Sequence, residues 1–330
     1  MYTITAITDS GEWNALVEDL KGHPLQKWGW GELKSAHNWN ATRLLVAKDG
    51  QPVAAAQVLH RHLPIPFKSL SHVPRGPVFA DALTGADRTA IIDDIVAWVK
   101  KNVGGVGITI ETDLDATDAV AVTGGVPSPN PILYPTTLIL DTTVTEDELM
   151  AQASKTTRYD IRKGAKNNLD IRRVESDEDL EKVLFTYREN ANRAGFALHD
   201  DSYYRDLHHM LGEDSYLVAC FHEGEVASFV WLARSGQTYW ELYASANDAG
   251  RKLRANAPVK WHAIMQAKAD GAPRYDMNGL LNDGISEFKR SFSKHENELQ
   301  PSVDVAFSPL YSVWNKALPT AKKVIRKVRG

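Results

Sequence analysis

The chain writes one pattern twice, and that repeat limits its possible folds more than any other feature. Residues 44–59 read LLVAKDGQPVAAAQVL, and residues 216–232 read YLVACFHEGEVASFVWL. In each, a run of small and β-branched residues meets a turn signal, Asp49-Gly50 or Glu223-Gly224-Glu225, followed by a second such run. This is the signature of a tight hairpin, predicting strands over 43–47 and 53–59, and again over 216–221 and 226–233. A helical stretch bearing aromatics precedes each copy, at 28–34 and at 203–211. An amphipathic helix follows each. The first, over 87–101, spaces Ile91, Ile92, Ile95, Trp98 and Val99 along one face; the second, over 257–269, does so with Val259, Trp261, Ile264 and Met265. Three matches in one order predict a duplicated α+β unit.

The length of 330 residues fits two domains. Between the copies, Val126-Pro127-Ser128-Pro129-Asn130-Pro131 is a loop that can be neither helix nor central strand. A strand over 136–140 follows it. Thr145 then reads as an N-cap with Glu148 completing a capping box. The expected division is a first domain over 1–145, with 306–330 packing back onto it, and a second over 146–305. After Pro309 a helix is expected over 310–316, and Pro319 opens a basic final helix.

With 43% hydrophobic and 24% charged residues, the composition is that of an ordinary folded protein. One cysteine makes neither an intrachain disulfide nor a multi-thiolate zinc site, which points to a reducing cytosol. The first twenty residues lack the basic and apolar regions of a signal peptide, and no run approaches the ~18 apolar residues of a membrane span. The net charge of −4 hides two basic runs. Lys155, Arg158, Arg162, Lys163, Lys166, Arg172 and Arg173 crowd one; Lys316, Lys322, Lys323, Arg326, Lys327 and Arg329 crowd the other. Each reads either as a solvated helix face or as a contact for phosphates, of nucleic acid or of an anionic membrane.

The order helix, hairpin, strand, helix, strand resembles the GNAT acyltransferase fold. The expected fold class is therefore α+β, two tandem GNAT-like domains with mixed sheets flanked by helices. Ordinary members cradle coenzyme A on a glycine-spaced loop opening the next helix. Here that stretch is Ala249-Gly250-Arg251-Lys252-Leu253-Arg254-Ala255-Asn256, without the spaced glycines. Walker, G-x-G-x-x-G, G-x-S-x-G and H-E-x-x-H motifs are absent from the sequence too. No cofactor is expected.

Six segments in order carry a closer resemblance: Trp28-Gly29-Trp30-Gly31-Glu32-Leu33-Lys34, His72-Val73-Pro74-Arg75-Gly76-Pro77-Val78, residues 154–163 from Ser154 to Lys163, Leu242-Tyr243-Ala244-Ser245, Tyr275-Asp276-Met277-Asn278-Gly279, and Ile285-Ser286-Glu287-Phe288-Lys289-Arg290-Ser291-Phe292. From about residue 26 to about residue 315 the chain resembles the Fem-type (FemABX) peptidyltransferases of bacterial cell-wall synthesis, in their short form without a coiled-coil arm. The resemblance implies a monomeric, tRNA-dependent aminoacyltransferase. Its donor is aminoacyl-tRNA, a substrate rather than a cofactor. Its acceptor is the stem-peptide side-chain amine of a peptidoglycan precursor, either lipid II or UDP-MurNAc-pentapeptide. The expected location is cytoplasmic; the charge pattern adds an expected peripheral contact, with Lys322, Lys323, Arg326 and Arg329 along one side of the basic C-terminal helix resting on an anionic inner leaflet.

Residue by residue, the resemblance makes Phe288 and Lys289 the catalytic pair, with the Lys289 ammonium stabilising the oxyanion formed when the amine attacks the ester. Lys34 and Tyr203 match a lysine and a tyrosine at the precursor's phosphates. His199 stands where the family has an arginine, with Arg193 or Arg205 as possible substitutes. Tyr243 is the nearest candidate for a further family tyrosine, and Arg75 and Asp276 are candidate substrate-lining residues. Lys155, Arg158 and Arg162 are candidate contacts for tRNA or phosphate.

Plainer readings stand beside these. Lys289 is also a surface lysine of a helix over 286–292 whose core face is Phe288 and Phe292. Gly76 reads as a positive-φ turn, and Asp276 as a bridge between backbone groups after its strand. His208-His209 and His60-x-His62 lack the cysteine or carboxylate partners a metal needs. Trp28, Trp30 and Trp39 read as core. Three other functions remain open at this level: tRNA-dependent transfer to a protein N-terminus, acyl-CoA transfer, and precursor binding without turnover.

Overall fold

The computed structural model describes residues 2–281 and 283–318. They form two compact units, 2–135 with 298–318, and 136–281 with 283–297. The basic final helix expected after Pro319 lies outside the described residues, as do Lys322, Lys323, Arg326, Lys327 and Arg329.

In the first unit, β1 (Tyr2–Ile7), α1 (Ser10–Asp19) and α2 (Trp28–Ala36) lead into the hairpin β2 (Asn40–Lys48) and β3 (Gln51–His62). Then come β4 (Ser69–Pro74), β5 (Val78–Phe79), α3 (Gly85–Asn102), β6 (Gly107–Glu111) and β7 (Val126–Pro127). Among the described residues the sheet runs β1-β2-β3-β4-β6, then strand Val303–Ala306, then β7, with β5 beside β3. All pairs are antiparallel except β4 with β6. The prolines at 127 and beyond confine β7 to the sheet edge, where a missing amide donor does no harm. Helix α3 opens with a Thr84–Asp87 capping box and buries Ile91, Ile92, Ile95 and Val99 against Val46, Val58, Ile108 and Ile110. Each such aliphatic contributes about 1.5–3 kcal/mol of transfer free energy.

The second unit repeats the plan. It contains β8 (Ile139–Asp141), α4 (Glu146–Gln152), α5 (Lys155–Lys166), β9 (Asp170–Arg173), α6 (Asp177–Ala194) and α7 (Asp201–Leu211). The hairpin β10 (Ser215–His222) and β11 (Glu225–Arg234) follows, then β12 (Thr238–Ala246), α8 (Asp248–Leu253), α9 (Asn256–Ala269), β13 (Arg274–Asp276) and α10 (Gly284–Arg290). Sheet order is β9-β10-β11-β12-β13-β8, with β12 and β13 the one parallel pair among the described strands of this sheet. Both predicted hairpins and all four predicted flanking helices are present, and Thr145 with Glu148 forms the expected capping box.

Strand pairing sets the division of the chain. Strand β8 pairs with β13, which places 136–145 in the second unit rather than the first. Val303 to Ala306 pairs with β6, so the chain returns to the first unit before residue 306. The strand expected over 136–140 is broken into Thr136–Thr137 and β8. Gly76 is not at positive φ; its neighbour Arg75 is, at 47°. Glycine is needed at 76 for space, because a Cβ there would sit 2.6 Å from Nε2 of Gln26.

Candidate active site

Strand β12 meets β13 only over Thr238 to Trp240. Its register on β11 then slips, with Trp231 opposite Tyr243 and Leu232 opposite Glu241, so Leu242 is the extra residue of a bulge. A bulge bends a strand away from its neighbour, and here the parallel pair opens beyond Trp240. The Asn278 side-chain amide donates across the opening to the Glu241 carbonyl at 3.0 Å.

Helix α10 stands over this point. Asp283 caps it, accepting from the Ser286 amide at 2.8 Å, and the buried Ser286 hydroxyl accepts from the Leu281 amide. The half-buried Lys289 reaches back so that Nζ donates to the Gly279 carbonyl at 2.9 Å and the Asn278 carbonyl at 3.3 Å. Burial lowers its pKa below the usual lysine value; Glu241 opposes that, Lys260 adds to it, and Asp276 and Asp283 oppose it. Phe288 lies edge-on to the buried Phe292, with 5.4 Å between ring centroids. Asp276, fully buried, accepts at Oδ1 from the Thr137 hydroxyl at 2.5 Å and the Asn278 amide at 2.7 Å. Its carboxylate thus ties backbone and side chain together just past the strand.

Two residues that sequence reasoning passed over sit beneath. Lys260 on α9 donates to both oxygens of Glu241 on β12, at 2.6 Å each, and Tyr275 donates to one of them at 2.8 Å. The Lys260 ammonium also faces the rings of Phe288 and Phe292, 5.5 and 5.7 Å from their centroids. The available signal was a single charge inside each of two apolar runs, Trp240-Glu241-Leu242 and Val259-Lys260-Trp261.

A second cluster in this unit is aromatic. His199 stacks on Tyr203 at 4.0 Å, and Tyr204 lies edge-on to Tyr243 at 5.2 Å. Burial pushes Tyr203 up to about 12 and Tyr243 well above its ordinary value. Both tyrosines are therefore neutral hydroxyls across the physiological range. Of the two possible substitutes at the His199 position, Arg205 forks onto Glu181 and Arg193 pairs with Asp248, both in exposed ion pairs. On α5, Lys155 and Arg162 are exposed, whereas Arg158 spends one N–H on the Ala153 carbonyl at 2.6 Å. Exposed Tyr159 joins that face, flanked by Lys163 and Arg254.

In the first unit, Lys34 lies 4.4 Å from the centroid of the largely buried Trp30 ring, and burial lowers its pKa to about 8. Trp28 supports Arg43, whose guanidinium carbon is 3.3 Å from the ring centroid. Arg75 is 2% exposed and donates from Nη2 to the Tyr134 carbonyl at 3.1 Å, while its buried Nε has no hydrogen-bond partner among the described residues. Close by is a feature the sequence did not reveal. Glu111 accepts from His72 at 2.7 Å, from Ser302 at 2.7 Å, and from the Ile132 and Leu133 amides. That carboxylate fastens the proline-rich loop to the end of β6.

Residues 151–290 match the family described as Acetyltransferase (GNAT) domain. The lipid II:glycine glycyltransferase of Staphylococcus aureus is 25% identical over 213 residues, 59% of this chain and 50% of that protein. The crystal structure of FemX superposes with a TM-score of 0.84 at 20% identity, covering 95% of this chain and all of that one. The chain resembles the Fem-type transferases in sequence and in fold. It spans about half the length of the curated relatives it matches. Other structures similar to the chain include L-PGS from Bacillus licheniformis, with a TM-score of 0.59 at 12% identity over 94% of this chain and 96% of that one. A tandem GNAT protein from the clavulanic acid biosynthesis pathway gives 0.53 at 11%, over 94% and 99%. Such low identities establish the fold alone.

Proposed function

We propose that this protein is an aminoacyltransferase that moves an amino acid from aminoacyl-tRNA to the stem-peptide side-chain amine of a peptidoglycan precursor, building the interpeptide bridge. The observation that carries the reading is Lys289, pinned by two carbonyls beside the opening between β12 and β13. An ammonium has three N–H bonds. Two are committed to Asn278 and Gly279, leaving the third to meet the oxygen of a reacting ester. The amine attacks the ester carbonyl, the C–N bond forms, and negative charge builds on that oxygen as Lys289 stabilises it. The C–O bond to the tRNA ribose then breaks, and the amine's proton leaves with the ribose hydroxyl, directly or through water. The ester is already activated, so alignment and charge stabilisation account for most of the work.

Two features favour tRNA over coenzyme A as donor. At α8 the Gly250 amide is taken by the Asn247 side chain at 3.0 Å, and a Cβ at 250 would strike the Ala227 carbonyl at 2.1 Å. In the first unit the Thr84–Asp87 capping box closes the start of α3 with a carboxylate. An anionic pyrophosphate would have to displace both. The exposed cations of α5, Lys155 and Arg162 with Arg158 beside them, supply the contact for tRNA phosphates. Lys34, Arg75, Tyr203 and His199 serve the precursor. The protein works as a monomer on the cytoplasmic side, and its basic chain end touches the inner leaflet.

The test incubates the protein with purified precursor and a charged total-tRNA pool and reads the acceptor by mass. A gain of one or more aminoacyl masses supports the reading. Gain from a coenzyme A thioester without tRNA, or precursor binding with no gain, overturns it.

A further inference from the structure

The turn joining β3 to β4 is unusual in what it leaves in water. Its six residues are Leu63-Pro64-Ile65-Pro66-Phe67-Lys68, and Ile65 at the apex is 96% exposed, more than any other large hydrophobic among the described residues. Exposed prolines flank it, and the exposed cations Arg61 and Lys68 stand at either side. The turn is braced from within the same unit: the Phe67 ring packs on Trp314 of the helix over 310–318, at 5.3 Å. Val313 on that helix is 52% exposed, and Lys316 is exposed. At the base of the turn, Ser69 bonds to Gly104 and Val106. These lie just past the end of α3, whose last turn carries the exposed Lys100 and Lys101.

Charge is one-sided across these segments. The sequence contains no Asp or Glu from residue 50 to 80, and none from 305 to 330. An exposed aliphatic apex flanked by the cations Arg61 and Lys68 gains from two sources only at a lipid interface, where the apolar tip leaves water and the cations meet headgroup phosphates. A nucleic acid would use the cations and gain nothing from an aliphatic tip whose neighbouring aromatic is already engaged with Trp314.

We propose that the β3–β4 turn, with Ile65 at its apex, is a membrane-contact surface that seats the first unit on an anionic bilayer. This extends the membrane contact proposed above to a second element, and its readout requires no transfer reaction, so either reading can fail without the other. The experiment co-sediments the full chain with vesicles of phosphatidylcholine alone and of phosphatidylcholine mixed with phosphatidylglycerol. Binding is expected on the mixed vesicles and to be much weaker on the neutral ones. Ile65→Asp and Lys68→Glu are each expected to weaken it about tenfold, and Ile65→Met to retain it. Circular dichroism and transfer to a water-soluble precursor remain at wild-type level in all three. Absence of binding to mixed vesicles, or equal binding by Ile65→Asp, overturns the proposal. So does a loss of tRNA binding in Ile65→Asp without a loss of vesicle binding, which would assign the face to RNA.

Discussion

Lys260 donates to both carboxylate oxygens of Glu241, and both side chains are almost wholly shut off from solvent. The pair lies under Lys289, linked to it through Asn278, which bonds the Glu241 carbonyl while its own carbonyl receives Lys289. Buried ion pairs contribute little net stability, but removing one partner strands the other charge. Glu241→Leu or Lys260→Met alone is therefore expected to destabilise the protein by about 3–5 kcal/mol. The double variant Glu241→Leu/Lys260→Met should lose less than the sum of the single changes. Urea unfolding of the full cycle measures this, and additive losses would mean the pair is not coupled.

Lys289→Ala is expected to lower transfer by about a hundred- to a thousandfold, the range for removing one oxyanion donor, with little change in melting temperature because Lys289 is only half-buried. Burial lowers its pKa, so the ammonium is lost at a lower pH than for an ordinary lysine. Activity should accordingly decline on the alkaline side earlier than an unperturbed lysine allows. Near-normal turnover in the variant would remove Lys289 from the chemistry.

Lys34, lowered to about 8 by burial, carries its charge below that pH and loses it above. If it holds the precursor's phosphates, affinity for a nucleotide-linked precursor falls as pH rises through about 8. Lys34→Gln should bind more weakly at neutral pH and flatten that dependence. Calorimetric titration across the interval decides the point, and an unchanged slope in the variant would exclude Lys34.

Burial pushes the Glu111 carboxyl up, but its bonds from His72, the Leu133 amide and Ser302 outweigh that and hold it at about 2. A carboxyl whose folded pKa lies below its ordinary 4.5 adds stability that is present above 4.5 and disappears as pH falls toward 2. The contribution is on the order of 3 kcal/mol. Glu111→Gln should be clearly less stable than wild type at neutral pH, and the gap should narrow steadily on acidification. Urea midpoints at the two extremes check this; a constant gap would show that the carboxylate's charge is not what holds the loop.

The sequence by itself determined the plan of the protein. Asp49-Gly50 and Glu223-Gly224 specify their hairpins because turn geometry is a local property, and the Ile91 to Val99 stripe specifies a helix because periodicity is local too. The ordered segments carrying Lys34 and Lys289 marked candidate residues for a related reason: motifs keep their residues in sequence. What only the tertiary structure decided are the partnerships that local patterns do not encode. Glu241 and Lys260 are nineteen positions apart and look like stray charges until a strand and a helix bury them together. Glu111 meets His72, Ser302 and a loop amide from three distant stretches. Strand Val303–Ala306 completes the first sheet from the far end of the chain, which no hydrophobic pattern announces. A charge reads as surface in sequence because water is its default partner; only folding reveals that the protein has replaced it.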